Sequence, residues 1–304
     1  MTAVTERHEG LVRLDVDGVA CVAYPRLTGP VALGDEVLVN EQARLLGLGS
    51  GGFDVLHANL TRGLGLAAEP GAHVMTLPYT PLQAAALHAE EDGPLAESLG
   101  GMPVVCCSVH SQVAPVCAAL AGRRVAYVQL PGGALPVSLS DAVRALRERG
   151  LVGAAVAAGG CVDGDVQCVS AASALAWCAA QGYEVAVCGI GPGIVGTGTR
   201  LGHGGLAAAE AANAASALGG RPVVAPRVSG ADPRERHRGL SHHTRAVLDL
   251  CLGEPLVPDE LSPPGWREAC AGLPLSHMNR GPDEDPAFFA AAFAAGLAAR
   301  GLLG

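Results

Sequence analysis

The chain has 304 residues and a formal net charge of −9, with 49% hydrophobic, 16% charged and 3% aromatic residues. That balance excludes a disordered chain, a broad nucleic-acid surface and an aromatic stacking platform. All 20 basic residues are arginine, so Schiff-base lysine chemistry, pyridoxal phosphate and a P-loop are excluded as well.

No apolar run reaches the roughly 20 residues that a bilayer span needs. The first ten residues lack the apolar stretch of a signal peptide. None of the ten cysteines stands in a Cys-x-x-Cys pair. Most fall in apolar stretches, where cysteine behaves as a small hydrophobe. The expectation is a cytoplasmic protein with reduced thiols.

Residues 10–80 read as short strands punctuated by glycine turns. Leu11–Val16 alternates, Asp17-Gly18 marks a turn, and Val19–Tyr24 follows. Gly34-Asp35 turns into Glu36–Asn40. A glycine-rich stretch from Gly47 to Gly52 precedes Phe53–Asn59 and His73–Tyr79. Many short strands of this kind predict a small barrel.

After Pro81 the pattern changes. Leu82–Glu91 reads as helix, Pro103–Val109 as a buried strand and Pro115–Leu120 as helix. Arg124–Leu130 is a strand, and Ser140–Arg149 a helix capped by Ser140 and stopped by Gly150. Strand Leu151–Ala158, helix Ser170–Gln181, strand Glu184–Gly189, a helix over Gly205–Leu218, strand Pro222–Val228 and helix Leu240–Leu252 follow. Alternation of this kind predicts a mostly parallel sheet with helices on both faces. Glu254–Pro286 reads as loop or linker. Phe288, Phe289, Phe293 and Leu297 recur at helical spacing, as a helix docked on its own chain would require.

The fold class is therefore α/β. A small N-terminal β-barrel-like domain over 1–80 precedes a mostly parallel α/β sheet domain over 81–304 that ends in a docking helix.

Two segments carry chemistry. The first, Gly189 to Arg200, follows a strand and precedes a helix, the place where parallel sheets bind ligands. Backbone amides at Gly193, Gly196 and Gly198, with hydroxyls at Thr197 and Thr199, suit an anion. Gly191 to Gly196 has the G-x-G-x-x-G spacing. The acidic partner of a dinucleotide site is missing at the end of the next strand, near Arg227. A structural loop that needs positive φ explains the glycines equally well.

The second segment, Asp232 to Arg245, is the densest polar stretch in the chain. Ser241 reads as an N-cap, which places His242 and His243 in a first helical turn, where cations oppose the helix dipole. Arg234, Arg236, Arg238, His237 and His243 beside that terminus would cradle a phosphate or carboxylate. Metal binding ranks below this. Adjacent His242 and His243 should diverge on a helix, and no His-x-x-x-His pair occurs.

His110, after the strand Pro103–Val109, joins His237 and His242 as a candidate proton-transfer residue. The Asp pair in Gly159–Asp165 reads as an ordinary turn.

Gly34 to Asn40, Leu46 to Phe53, Tyr79 to Gln83, Gly191 to Thr199 and Asp232 to Thr244 together resemble the bacterial domain of unknown function 3866 family. The likeness runs to about Pro258 and implies no activity. It implies a His in the loop at Gly159–Asp165, where this chain has Gly-Gly-Cys.

The functional expectation is a protein that binds a small anionic, phosphate-bearing metabolite, with hydrolysis or group transfer as its chemistry. The alternative is a non-catalytic binding or assembly module that forms homo-oligomers. No nucleic-acid or membrane partner is expected, and no cofactor is indicated. The strands Glu184–Gly189 and Pro222–Val228 are joined by one helix and should be neighbours. Their following loops, the two chemical segments, should then meet.

Overall fold

The structure, a computed structural model, describes residues 1–47, 52–66 and 69–304. It divides into two compact units, Met1–His88 and Ala89–Gly304.

In the first unit β1 (Ala3–His8), β2 (Leu11–Val16) and β3 (Val19–Ala23) form an antiparallel meander. Asp17 and Gly18 turn between β2 and β3 with φ of 53° and 87°, as a tight two-residue hairpin demands. Period-2 alternation puts Val12 and Leu14 on the same buried side as Cys21, Ala23 and Leu56. The short helices α1 (Pro25–Thr28) and α2 (Gln42–Leu45) flank β4 (Val37–Asn40). β5 (Asp54–Asn59) lies parallel to β3 and antiparallel to β4. The order β1-β2-β3-β5-β4 leaves β1 and β4 as edges. Among the described residues this is an open mixed sheet, with no pairing that closes the expected barrel. Four residues of the glycine-rich stretch, 48–51, lie outside the described residues.

The helix expected over 82–91 does not form. β6 (Val74–Thr76) pairs antiparallel with β7 (Ala84–Ala86) instead. Leu77 and Tyr79 turn between them at positive φ. Pairing with a preceding strand overrides the helix propensity of three alanines.

The second unit is built on six parallel strands. These are β8 (Pro103–Cys107), β9 (Val125–Leu130), β10 (Ala154–Ala158), β11 (Val166–Cys168), β12 (Val185–Ile190) and β13 (Arg221–Ala225). Their order is β11-β10-β9-β12-β8-β13, and every adjacent pair is parallel.

Both faces are buried, which accounts for continuous apolar runs instead of alternation. One face carries Val105, Cys107, Val125, Tyr127 and Val187. It is covered by α3 (Val113–Ala119), α4 (Asp141–Glu148), α8 (Trp266–Ala269) and α9 (Pro286–Gly301). The other carries Val104, Cys106, Ala126, Val128 and Cys188 beneath α5 (Ala171–Ala180), α6 (Ala207–Ala217) and α7 (His242–Leu250).

Cys106 and Cys107 thus point into opposite layers. Burial pushes both thiols well above the ordinary range, as expected of cysteines that serve as hydrophobes. All ten cysteines are unpaired.

β12 and β13 are not neighbours, because β8 lies between them. A βαβ crossover can skip a strand, and local sequence does not record which strand fills the gap.

The segment 254–286 is more than a linker. Leu256 pairs with Val223, donating to the Pro222 carbonyl at 2.9 Å and accepting from Val224 N–H at 2.8 Å. It thereby covers the sheet edge at β13. No helix among the described residues is long and apolar enough to cross a membrane.

α9 docks on its own chain. Gly296 lets it approach α3 so closely that a Cβ there would run into the Val116 carbonyl. Phe288 and Phe289 are fully buried in the same layer and meet edge to face, with ring centroids 5.1 Å apart. Phe289→Ala should destabilise the chain by about 3–5 kcal/mol through the cavity it leaves. Urea unfolding measures this, and a loss under about 1 kcal/mol would show that α9 is not part of the core.

Candidate functional site

The carboxyl ends of the parallel strands all face one edge, and their loops interlock there. Gly132 and Gly133 follow β9, and Gly191 and Gly204 belong to the loop after β12. A Cβ on Gly191 would overlap the Ala134 carbonyl, and one on Gly204 the Gly132 backbone. Of the glycines from Gly189 to Gly198 only Gly193 has a positive φ, at 71°. These glycines therefore answer mainly to close backbone approach rather than to special dihedrals.

The glycine loop folds back on itself. Gly204 N–H donates to the Val195 carbonyl at 2.8 Å, and Thr197 N–H to the Gly202 carbonyl at 2.7 Å. Gly196 and His203 face each other across this hairpin. Thr197 and Thr199 are joined through their hydroxyls at 2.8 Å, and the Thr197 hydroxyl also lies 3.1 Å from the Gly202 carbonyl. Their side chains spend much of their donor capacity inside the loop. Gly193, Gly196, Thr197, Gly198 and Thr199 are all exposed.

The basic segment is a ribbon. β14 (Val228–Ser229) pairs antiparallel with β15 (Gly239–Leu240), and residues 230–238 form the excursion between them. It returns to β13 because Ser241 N–H donates to the Arg227 carbonyl at 2.8 Å. Arg227 N–H donates to the Thr244 hydroxyl, also at 2.8 Å. Ser241 caps α7 as expected, accepting from His243 N–H at 3.2 Å, and its hydroxyl is 2.8 Å from His237 Nδ1.

The hairpin and the ribbon do meet, although their strands are not adjacent. His203 stacks on His243 with ring centroids 3.8 Å apart. Arg200 pairs with Asp249 of α7 at 2.8 Å. The Arg236 guanidinium lies over Gly198, with its atoms 3.6–3.9 Å from where a Cβ would be.

Four imidazoles gather between the two segments. His242 lies 4.8 Å from His237, 4.5 Å from His243 and 5.5 Å from His203, between ring centroids. The expected divergence of His242 and His243 does not occur. Side chains in a first helical turn lean back toward the N-terminus, so neighbours there can both reach past the helix end. One ring nitrogen from each of His203, His242 and His243 lies within 4.8 Å of the other two.

The rings are held neutral. Burial, reinforced by the Arg227 guanidinium, pushes His237 down to about 3 and His243 to about 2. Burial and the neighbouring His242 lower His203. Burial and Arg236 lower His242. Neutral rings do not oppose the α7 dipole as imidazolium would.

Arg227, 2% exposed, organises the floor of the site. It donates to His243 Nδ1 at 2.9 Å and to His277 Nε2 at 3.3 Å. Guanidinium has donors only, so both of those nitrogens accept. His277 Nδ1 is then the protonated nitrogen and donates to the Ser111 hydroxyl at 2.9 Å.

Asp232 is fully buried beneath this cluster. Burial alone would raise its pKa, but the Arg234 hydrogen bonds prevail and hold it below the carboxylate range. Arg234 makes a two-point contact with it at 2.9 and 2.8 Å. Arg280 lies 3.4 Å from Asp232 and 3.6 Å from Asp285.

The predicted residues thus separate. His237, His242, His243, Ser241 and Arg236 converge with the tip of the glycine hairpin. Arg234 is committed to Asp232. Arg238 is exposed, with no ion pair among the described residues.

His110 stands apart as a strut. Its Nδ1 donates to the Ile190 carbonyl at 3.0 Å, and its Nε2 accepts from the Ser140 hydroxyl at 2.7 Å. Ser140 in turn caps α4 by accepting from Val143 N–H at 2.9 Å.

Sequence reasoning left Arg227, His277, Arg280 and Asp285 out of the site. The last three lie in the segment read as a linker. His277-Met278-Asn279-Arg280, a His–Arg pair in a Pro- and Gly-rich stretch, was the available signal.

The fold and this edge define an α/β protein with a doubly covered parallel sheet and a histidine–arginine site at its carboxyl end. The chain matches the family described as protein of unknown function (DUF3866) over residues 20–261, and it belongs to that family. No curated protein and no solved structure matches it.

His110 also gives the site edge an acid-sensitive joint. In the unfolded chain a histidine takes up a proton near pH 6.5, whereas burial holds folded His110 neutral down to about 4. Below pH 6.5 the unfolded state binds the extra proton, so stability falls as pH drops, and the loss levels off near pH 4. His110→Asn should flatten the stability–pH slope in that window by about 1.4 kcal/mol per pH unit. Urea titrations at pH 4.5, 5.5 and 6.5 measure it, and an unchanged slope would refute the assignment.

Proposed function

We propose that this protein binds a small anionic, phosphate-bearing metabolite between the glycine hairpin and the basic ribbon. The observation that carries the reading is Arg236. Its guanidinium is exposed, has no carboxylate partner among the described residues, and lies directly over Gly198. Nearby, Arg227, Arg234 and Arg280 outnumber the buried carboxylates Asp232 and Asp285. A local excess of donors and positive charge beside exposed loop amides suits an anion.

Hydrolysis or group transfer is the chemistry that fits, with His237 and His242 as the proton carriers. Neutral imidazoles can accept a proton from an attacking group and return it to a leaving group. A cytoplasmic location accords with ten unpaired thiols. The assembly reading draws less support, because α9, one of its candidate contact surfaces, packs on its own chain.

Inorganic phosphate should raise the melting temperature of the wild-type protein in a concentration-dependent way. Arg236→Ala should weaken that binding about tenfold or more, the loss expected for one charge-assisted contact. Equal protection of the variant and the wild type, or none in either, would defeat the proposal.

A further inference from the structure

We propose that His203, His242 and His243 bind one divalent transition-metal ion of the imidazole-preferring kind, such as zinc or cobalt. Two observations point to it independently of the anion. One nitrogen from each ring lies within 4.8 Å of the others. An ion with metal–nitrogen bonds of about 2.0–2.1 Å holds its ligand atoms about 3.3 Å apart, so the ligand atoms need close by at most about 1.5 Å.

The second observation is unmet bonding capacity. His203 is 5% exposed, and among the described residues neither of its ring nitrogens makes a hydrogen bond of ordinary geometry, the Arg200 backbone offering only a looser contact. The buried Nε2 of His242 has none either. A buried polar atom without a partner is costly, and several in one place call for a common explanation. Elsewhere on this edge His110 and His277 have both nitrogens engaged, so orphaned imidazoles are particular to the cluster.

Arg227 decides how His243 takes part. It occupies Nδ1, so Nε2 is the atom His243 can offer. In the metal-free chain that nitrogen carries the ring's proton; binding the ion releases this proton to solvent and leaves an imidazolate held between the ion and the guanidinium. His242 is only partly buried and the adjoining glycine hairpin is exposed, which gives an ion its way in. Three nitrogen ligands leave a fourth position open, as in catalytic sites. An anion would fill it, and in that respect alone the inference rests on the proposed function; with the ion bound, His242 is a ligand and His237 is left as the proton carrier.

The test uses full-length protein without a polyhistidine tag, stripped with chelator and titrated with Co²⁺. The expected result is one equivalent per chain, with visible absorption of a nitrogen-rich, four-coordinate ion. His203→Ala and His242→Gln should each weaken binding at least tenfold with unchanged circular dichroism, whereas Arg236→Ala should not. Failure of the wild type to take up a stoichiometric ion, or undiminished binding in both histidine variants, overturns the metal site. Phosphate protection of the stripped protein is measured separately, so the anion reading can survive that outcome or fail without it.

Discussion

A single buried guanidinium holds this edge of the molecule together. Arg227 leaves β13 into a region where water is excluded, and it remains charged although burial lowers its pKa to about 10. A buried charge must be paired or richly hydrogen-bonded. Arg227 reaches His243 on α7, His277 in the segment before α9, and Asp232 in the ribbon at 3.7 Å. Three stretches far apart in the chain are thereby tied to the end of one strand. Because guanidinium only donates, it also sets the tautomers of both histidines and keeps them neutral.

The pairing of charge follows from that placement. Asp232 and Asp285 are both buried. Ser229 donates to Asp285 at 2.5 Å, and Gly230 N–H at 3.0 Å. Arg280 bridges the two carboxylates. The acidic groups thus answer the inner arginines, and Arg236, on the outer side of the ribbon, has no such partner among the described residues. The same arrangement accounts for the stacked face of His277 on Phe288, with centroids 3.8 Å apart and planes 3° from parallel. That contact joins the polar floor to the apolar layer beneath α9.

The glycine hairpin shows how close backbone packing in one loop places a side chain against a distant helix. Its glycines permit backbones from β9 and β12 to cross at close range, which fixes the hairpin. His203, carried at its base, is then delivered against α7. Gly205 belongs to this requirement too, because a Cβ there would press on the Ser108 carbonyl. A dinucleotide-like spacing arises here for reasons of loop packing, with no acidic partner downstream.

The sequence by itself determined the α/β class, the parallel sheet with helices on both faces, the caps at Ser140 and Ser241, and the two polar segments that meet at the sheet's carboxyl edge. Those features rest on periodicity, turn residues and caps, which act over a few neighbouring residues. Only the tertiary structure decided that β8 separates β12 from β13, that Ala84–Ala86 forms a strand within the stretch expected to be helical, and that His242 and His243 converge. It alone brought His203 from the hairpin and His277 and Arg280 from an apparent linker to Arg227. Strand order and the burial of a charge are settled by partners tens to hundreds of residues away, and no local pattern carries that information.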